Sequence, residues 1–204
     1  MEKKYKLTDE ILKIGCHILH RIVALRDFGN IKKGDLGGFI EKEANLADDG
    51  NCWIFDNAKV YDNAEVYGDA IVHGYAKVYG YAKVYGDAKV HGYAIVYGNA
   101  EVYGNAEVYG DAIVHGYAKV YGDAEVYGNA IVEKKSDYIV FKNWWSSGRY
   151  FTWTRSNDRW AVGCFYGTGE ELIKKAYNDS DESGREYERI VKYVESIKSE
   201  INKQ

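Results

Sequence analysis

From Ala58 to Ala130 an alanine recurs at every sixth position, and a valine follows each one two residues later, from Val60 to Val132. The unit is Ala-x-Val-Tyr/His-Gly-Asn/Asp/Tyr, and Asp62 alone departs from its glycine slot. Residues two apart on a strand point to the same side, so each Ala and its Val share one face. The Gly-Asn, Gly-Asp and Gly-Tyr pairs that follow tolerate the left-handed backbone of a tight corner. Three corners close a triangle of 18 residues, which predicts a parallel β-helix with Ala and Val inside and the other side chains outside.

The register continues upstream less perfectly, through Cys52-Trp53-Ile54-Phe55, Ala44-Asn45-Leu46 and Gly38-Phe39-Ile40. Between Leu46 and Ile54 the step is eight residues, so one corner carries two extra. Ordinary crossovers are right-handed, but the strict six-residue small-plus-aliphatic period resembles the left-handed hexapeptide class. The expectation is therefore a left-handed parallel β-helix over residues 38–132. Residues one coil apart should stack about 4.8 Å from each other. That makes aromatic columns of Tyr67, Tyr85, Tyr103 and Tyr121, of Tyr61, Tyr79, Tyr97 and His115, and of Phe55, His73, His91, Tyr109 and Tyr127. A further column alternates in charge: Glu65, Lys83, Glu101, Lys119. Another turns apolar at Ile95, Ile113 and Ile131, either a subunit interface or three isolated surface residues.

The ends of such a solenoid pair with other chains unless they are covered. Residues 1–37 are expected to form a β cap, with Ile11–Ile14 and His17–Leu25 as a hairpin around Gly15-Cys16. The bend Gly34-Asp35-Leu36-Gly37-Gly38 lacks the spacing and the Lys-Ser/Thr of a phosphate loop. Composition changes after Val132: four of the five Trp lie between Trp144 and Trp160, and five of the seven Arg between Arg149 and Arg189. Residues 133–204 are expected to be a small α+β module. Its three strands are Asp137–Lys142, Arg149–Arg155 and Arg159–Phe165, and its two helices start at capping boxes Thr168-x-x-Glu171 and Ser183-x-x-Glu186. The last helix carries Tyr187, Ile190, Val194, Ile197 and Ile201 on one seam, which packs on the sheet or on a partner helix, the sheet being favoured.

The net charge of −4 gives no general reason to expect DNA or a membrane surface as partner. No apolar run approaches the length of a membrane span, and no apolar stretch follows Met1–Lys6 as in a secretion signal. Cys16, Cys52 and Cys164 are odd in number and fit no metal-ligand spacing, as expected of free thiols in a cytoplasm. No metal and no cofactor is expected.

His73, His91 and His115 are the residues to test for a general base, but each takes a slot that is otherwise Tyr, and the repeats carry no inserted loop. No acid–base carboxylate pair and no nucleophile–base pair can be read, so no catalytic residue is assigned. His17 and His20 read as structural. The sharper signal is the C-terminal hairpin, where Arg149, Phe151, Trp153 and Arg155 alternate onto one face. With a three-residue turn at Ser156-Asn157-Asp158, Arg159, Ala161, Gly163 and Phe165 join them. Arg forks onto phosphate or carboxylate and aromatic rings stack a base. Trp144, Trp145, Arg149, Trp153, Arg155, Arg159 and Trp160 are thus the candidate ligand-binding set. The alternative is that Phe151 and Trp153 are core beneath the helices. Thirteen Lys plus Arg against twelve Asp plus Glu in residues 133–204 favour a small anion over nucleic acid.

Tandem units such as Val102-Tyr103-Gly104-Asn105-Ala106 resemble the hexapeptide-repeat proteins of phages and prophages. So do the lead-in Lys33–Ile40 and the tail segments Gly163–Thr168 and Ser183–Tyr187. The resemblance implies a bacterial cytoplasm and an accessory role in phage–host conflict. The reading that results is a homo-oligomeric rod, trimer favoured and dimer possible, joined through Ile95, Ile113 and Ile131 and presenting a module that binds a nucleotide-type ligand. An acyltransferase using the coil histidines, and a purely structural or protein-binding rod, are the alternatives.

Overall fold

A computed structural model describes residues 3–201 of the chain. Met1 and Glu2, on which the reading of the start partly rests, and the Ile201 side chain lie outside the described residues.

The protein is mainly β, a parallel solenoid of about five coils followed by an antiparallel sheet with two helices. Strands β1 (Tyr5–Ile14), β2 (His17–Ala24) and β3 (Leu36–Ile40) open the chain. The two-residue strands β4 to β17 follow, from Trp53–Ile54 to Ile131–Val132. Pairing is in parallel with an offset of 18, as in Lys59↔Lys77 and Val60↔Val78, so every third strand stacks on the same face. Every repeat alanine from Ala58 to Ala130 and every valine from Val60 to Val132 is at most 1% exposed, so the six-residue pattern is the interior. Corner glycines hold the turn with left-handed backbone, for example Gly92 at φ 69. Between coils, corner amides donate to glycine carbonyls, as in Asn63 N to Gly80 O at 2.8 Å.

The expected ladders form from Tyr61, Tyr67 and His73 onward. Tyr67, Tyr85, Tyr103 and Tyr121 stack at 4.8–5.3 Å with nearly parallel rings. Lys83 and Lys119 reach back to Glu65 at 3.6 Å and to Glu101 at 2.8 Å. The eight-residue step becomes a loop at Ala47–Asn51 with Gly50 left-handed, and Lys4 is fully buried beneath it. Lys4 Nζ donates to Asp49 O and Cys52 O at 3.2 and 3.1 Å.

The N-terminal hairpin does more than lie over an open end. β2 pairs antiparallel with β3, so the hairpin extends one solenoid face as a continuous eight-stranded sheet. Tyr5, Ile22, Phe28 and Ile31 then join Trp53 in plugging the interior. At the other end the module's sheet does the sealing. Tyr138 donates to Lys119 O at 2.8 Å, Thr152 Oγ1 accepts from Glu125 N at 2.9 Å, and Ser156 Oγ accepts from Ile131 N at 2.7 Å.

That sheet has four strands where the sequence suggests three: β18 (Tyr138–Lys142), β19 (Tyr150–Thr154), β20 (Arg159–Val162) and β21 (Phe165–Gly167). The third expected strand is broken because Gly163, at φ 56, turns the chain back and pairs Val162 with Phe165. Helix α1 (Gly169–Asp179) has the expected capping box, Thr168 Oγ1 accepting from Glu171 N at 3.2 Å. Helix α2 (Asp181–Ile201) starts before its expected box: Ser180 Oγ accepts from Ser183 N at 3.1 Å, which leaves Ser183 inside the helix. Tyr187, Val191 and Val194 of α2 pack on Phe151, Trp153 and Trp160, so the seam faces the sheet. No described helix is long and apolar enough to cross a membrane.

The corners yield a direct test. A Cβ at Gly92 would meet the Gly110 N and O atoms at 3.0 and 3.1 Å, whereas one at Gly122 meets nothing within 4 Å. Gly122→Ala should cost about 1–2 kcal/mol, the penalty of a left-handed alanine. Gly92→Ala adds a backbone clash to that penalty and should cost clearly more. Urea midpoints of the two variants measure the difference, and equal losses would contradict close coil stacking.

Candidate functional site

The sequence places Arg159 and Ala161 on one face with Phe151 and Trp153, and the structure separates them. β19 and β20 pair Trp153 with Trp160 and Thr154 with Arg159. Opposed residues share a face, so Trp160, not Arg159, lies beside Trp153. The register moves by one because the turn is Arg155–Asp158, four residues with Asp158 at φ 52 rather than the expected three. Ala161 therefore shares the face of Thr152, toward the last coil.

Trp153 and Trp160 are both 1% exposed and belong with Phe151 to the core under α2. Trp153 Nε1 donates to Asp158 Oδ1 at 2.8 Å, and Lys198 of α2 reaches the same carboxylate at 2.7 Å. Burial opposes ionisation of Asp158, but these two partners outweigh it and hold the group below the usual carboxylate range. Arg155 is bound into the junction: its Nη1 lies 3.2 Å from Asp137 Oδ1, and its backbone N–H donates to Asp137 O at 2.8 Å. The other Asp137 oxygen accepts from the Glu133 and Lys134 amides at 2.8 and 3.0 Å, holding the exit from the solenoid. Arg159 is half-buried and reaches back to Asp158 O at 3.4 Å. Trp144 is 71% exposed and stands edge-on to Trp145. Trp145 packs edge-on against Tyr187 at 4.9 Å, and its buried Nε1 has no hydrogen-bond partner among the described residues.

Of the expected set, Arg149 and Arg155 each line a recess, that of Arg155 lying against Glu133 and Asp137. Beside the β20–β21 turn lies a cleft of about 330 Å³, lined by the charged Arg149, Lys175 and Asp179, with Phe165, Leu172 and Tyr187 among its walls. Asn143, 4% exposed, fixes the loop that carries Arg149: its Oδ1 accepts from Ser146 N at 2.9 Å and its Nδ2 donates to Tyr187 Oη at 3.1 Å. Burial pushes the Tyr187 phenol up, so it stays a neutral hydroxyl at the cleft wall. A second recess on the other side of Arg149 is acidic, lined by Glu107, Asp123 and Glu125. Burial and then the neighbouring Glu107 push the Glu125 carboxyl up. Lys175 escapes a reading of the hairpin alone, because it comes from α1 and arrives at the cleft only through the helix packing.

The coil histidines are ladder members. His73 stacks on His91 at 4.6 Å, His91 on Tyr109 at 4.9 Å, and Tyr97 on His115 at 5.1 Å. Burial and the adjacent His73 pull His91 below the ordinary imidazole range. From Ala58 to Val132 no loop interrupts the coils to form a wall over these rings. On the apolar face, Ile95 and Ile113 are half-buried and Ile131 is 44% exposed.

With this geometry the chain is a parallel β-solenoid protein whose coils carry a known repeat type: residues 58–74 and 100–116 match the family described as YdcK beta solenoid repeat. It is also similar to a protein of Escherichia coli (strain K12) named "Uncharacterized acetyltransferase YdcK", 36% identical over 62 residues. That likeness covers 26% of this chain and 19% of the relative, so the chain matches about a fifth of that protein's length.

Arg155→Ala removes a partner from Asp137, which is only 8% exposed, and should destabilise the protein by about 1–3 kcal/mol, the cost of an unpaired buried charge partner. Thermal unfolding measures it, and an unchanged melting temperature would show that the Asp137 junction does not hold the module.

Proposed function

We propose that the protein is a non-catalytic binding protein: the solenoid is a rigid scaffold, and the cleft at Arg149 and Lys175 takes a small anionic ligand of nucleotide type. The observation that carries this reading is the cleft itself. Two cations, Arg149 and Lys175, against one carboxylate, Asp179, give a net positive lining to a partly apolar recess of about 330 Å³, within the size range of small-molecule sites. A guanidinium forks onto a phosphate, the Lys175 ammonium adds a second positive charge, and the Phe165 and Tyr187 rings supply apolar surface for a base. Self-association through Ile95, Ile113 and Ile131, with a trimer favoured, is part of the proposal, as is the accessory role in phage–host conflict that the repeat resemblance implies.

The acetyltransferase name of the relative attaches to a whole protein of which the likeness covers 19%. The coil histidines support the non-catalytic reading, since each ring is stacked in a ladder and no inserted loop adjoins it.

Isothermal titration against a panel of mono-, di- and cyclic nucleotides tests the proposal. One or more should bind to a single site, and Arg149→Ala should weaken binding at least tenfold, about the loss of one charge-assisted contact. Arg159→Ala, outside the cleft, should leave binding unchanged. An absence of heat with every nucleotide, or equal loss in both variants, would overturn it.

A further inference from the structure

Asp62 is the one break in the glycine slot from residue 62 to 128, and its neighbours explain what the exchange brings. It holds the left-handed corner at φ 57, where glycine would be at ease. Its carboxylate stands beside two groups from other elements: His17, at the start of β2, and Glu41, just after β3. We propose that His17, Glu41 and Asp62 form a binding site for a divalent transition metal of the zinc class, at the joint between the N-terminal hairpin and the first coils.

The donor atoms of the three groups lie within 4.8 Å of one another, and each side chain is a quarter to a third exposed. Glu41 faces the ring from one side, with Oε1 2.9 Å from His17 Nδ1, while its Oε2 accepts from the Asp62 amide at 2.7 Å. A carboxylate on Nδ1–H fixes the tautomer that leaves the lone pair on Nε2, the arrangement seen behind metal-bound histidines. Nε2 in turn faces Asp62 Oδ1 at 3.5 Å. Asp62 Oδ2 is directed elsewhere, accepting from Gly80 N at 3.3 Å.

In that tautomer Nε2 and Oδ1 are two acceptors facing each other, an arrangement that needs a positive charge between them. Their 3.5 Å separation is long for a hydrogen bond. It is close to the roughly 3.4 Å between two donors that each bind a tetrahedral ion at about 2.0–2.1 Å. Mixed imidazole and carboxylate donors suit zinc or cobalt better than calcium or magnesium, which prefer oxygen alone. The Tyr61 ring, 5.1 Å from the imidazole, walls one side, and the partial exposure leaves room for water to complete the coordination. An ion held here ties the hairpin to the coil of Asp62, while Glu41, from the coil before it, orients the imidazole. The rival is a doubly protonated His17 held between two carboxylates, which needs no ion.

The test uses the full chain with Cys16 and Cys164 replaced by Ser, to remove exposed thiols, freed of metal with a chelator and held at pH 8. Zn²⁺ titration should show one saturable site per chain, Co²⁺ should give d–d absorption with that same stoichiometry, and the melting temperature should rise with ion concentration. Asp62→Gly restores the residue of the repeat, so it should fold and melt like the parent without ion yet lose the Zn²⁺ response at least tenfold in affinity. His17→Gln should lose it as well, and decides the matter if Asp62→Gly folds poorly. No saturable binding, which is the protonated-imidazole outcome, or an ion response unchanged in a folded variant, would overturn the proposal.

Discussion

Everything in this protein hangs from the exclusion of water by two small apolar side chains per six residues. Alanine and valine alternate with outward residues on strands too short to stand alone, and they become stable only as part of a continuous interior. Burying a valine is worth about 1.5–3 kcal/mol against exposure, and the contribution repeats at every face of every coil. The backbone completes the arrangement, because a glycine corner lets each coil lie directly on the next and close its hydrogen bonds. Side chains outside are then stacked whether or not they attract, which is why tyrosines form ring ladders and charges alternate along one column.

A solenoid so uniform has few places for chemistry. Its coils present flat repeated surfaces, and the departures lie at the two ends. At the start, the hairpin extends one face while Tyr5, Phe28 and Trp53 plug the interior. At the finish, the four-stranded sheet seals the last coil through Tyr138, Thr152 and Ser156, and its opposite face packs against α2. The recess at Arg149 exists because β20 and β21 turn at Gly163 while α1 lies beside them, so the cleft is a by-product of the capping device.

The period carried the solenoid, its interior residues, its columns and the position of the irregular corner, because all of these follow from one spacing repeated many times. The C-terminal module has no such redundancy. There a single residue in the turn before Arg159 decided the register, and the one-residue difference moved Trp160 into the core and Arg159 out of the face assigned to it. The choice between a tryptophan core and a tryptophan binding surface depended on whether α2 covers the sheet, which side-chain spacing on the helix suggested but the strands could not reveal. Lys175 and the trio of His17, Glu41 and Asp62 come together from distant segments. Only the glycine slot taken by Asp62 marked the second group in the sequence.

The chain is counted in coils of 18 residues around a dry interior. Deleting residues 77–94 removes one whole coil and joins Ala76 to Ile95, so every alanine and valine stays inside. Deleting residues 77–93 removes one residue fewer and turns the pattern out of step. Thermal unfolding followed by circular dichroism should show the first variant melting cooperatively, close to the full chain, and the second losing its cooperative transition or melting far lower. If both deletions melt alike, the interior is not set by the six-residue period.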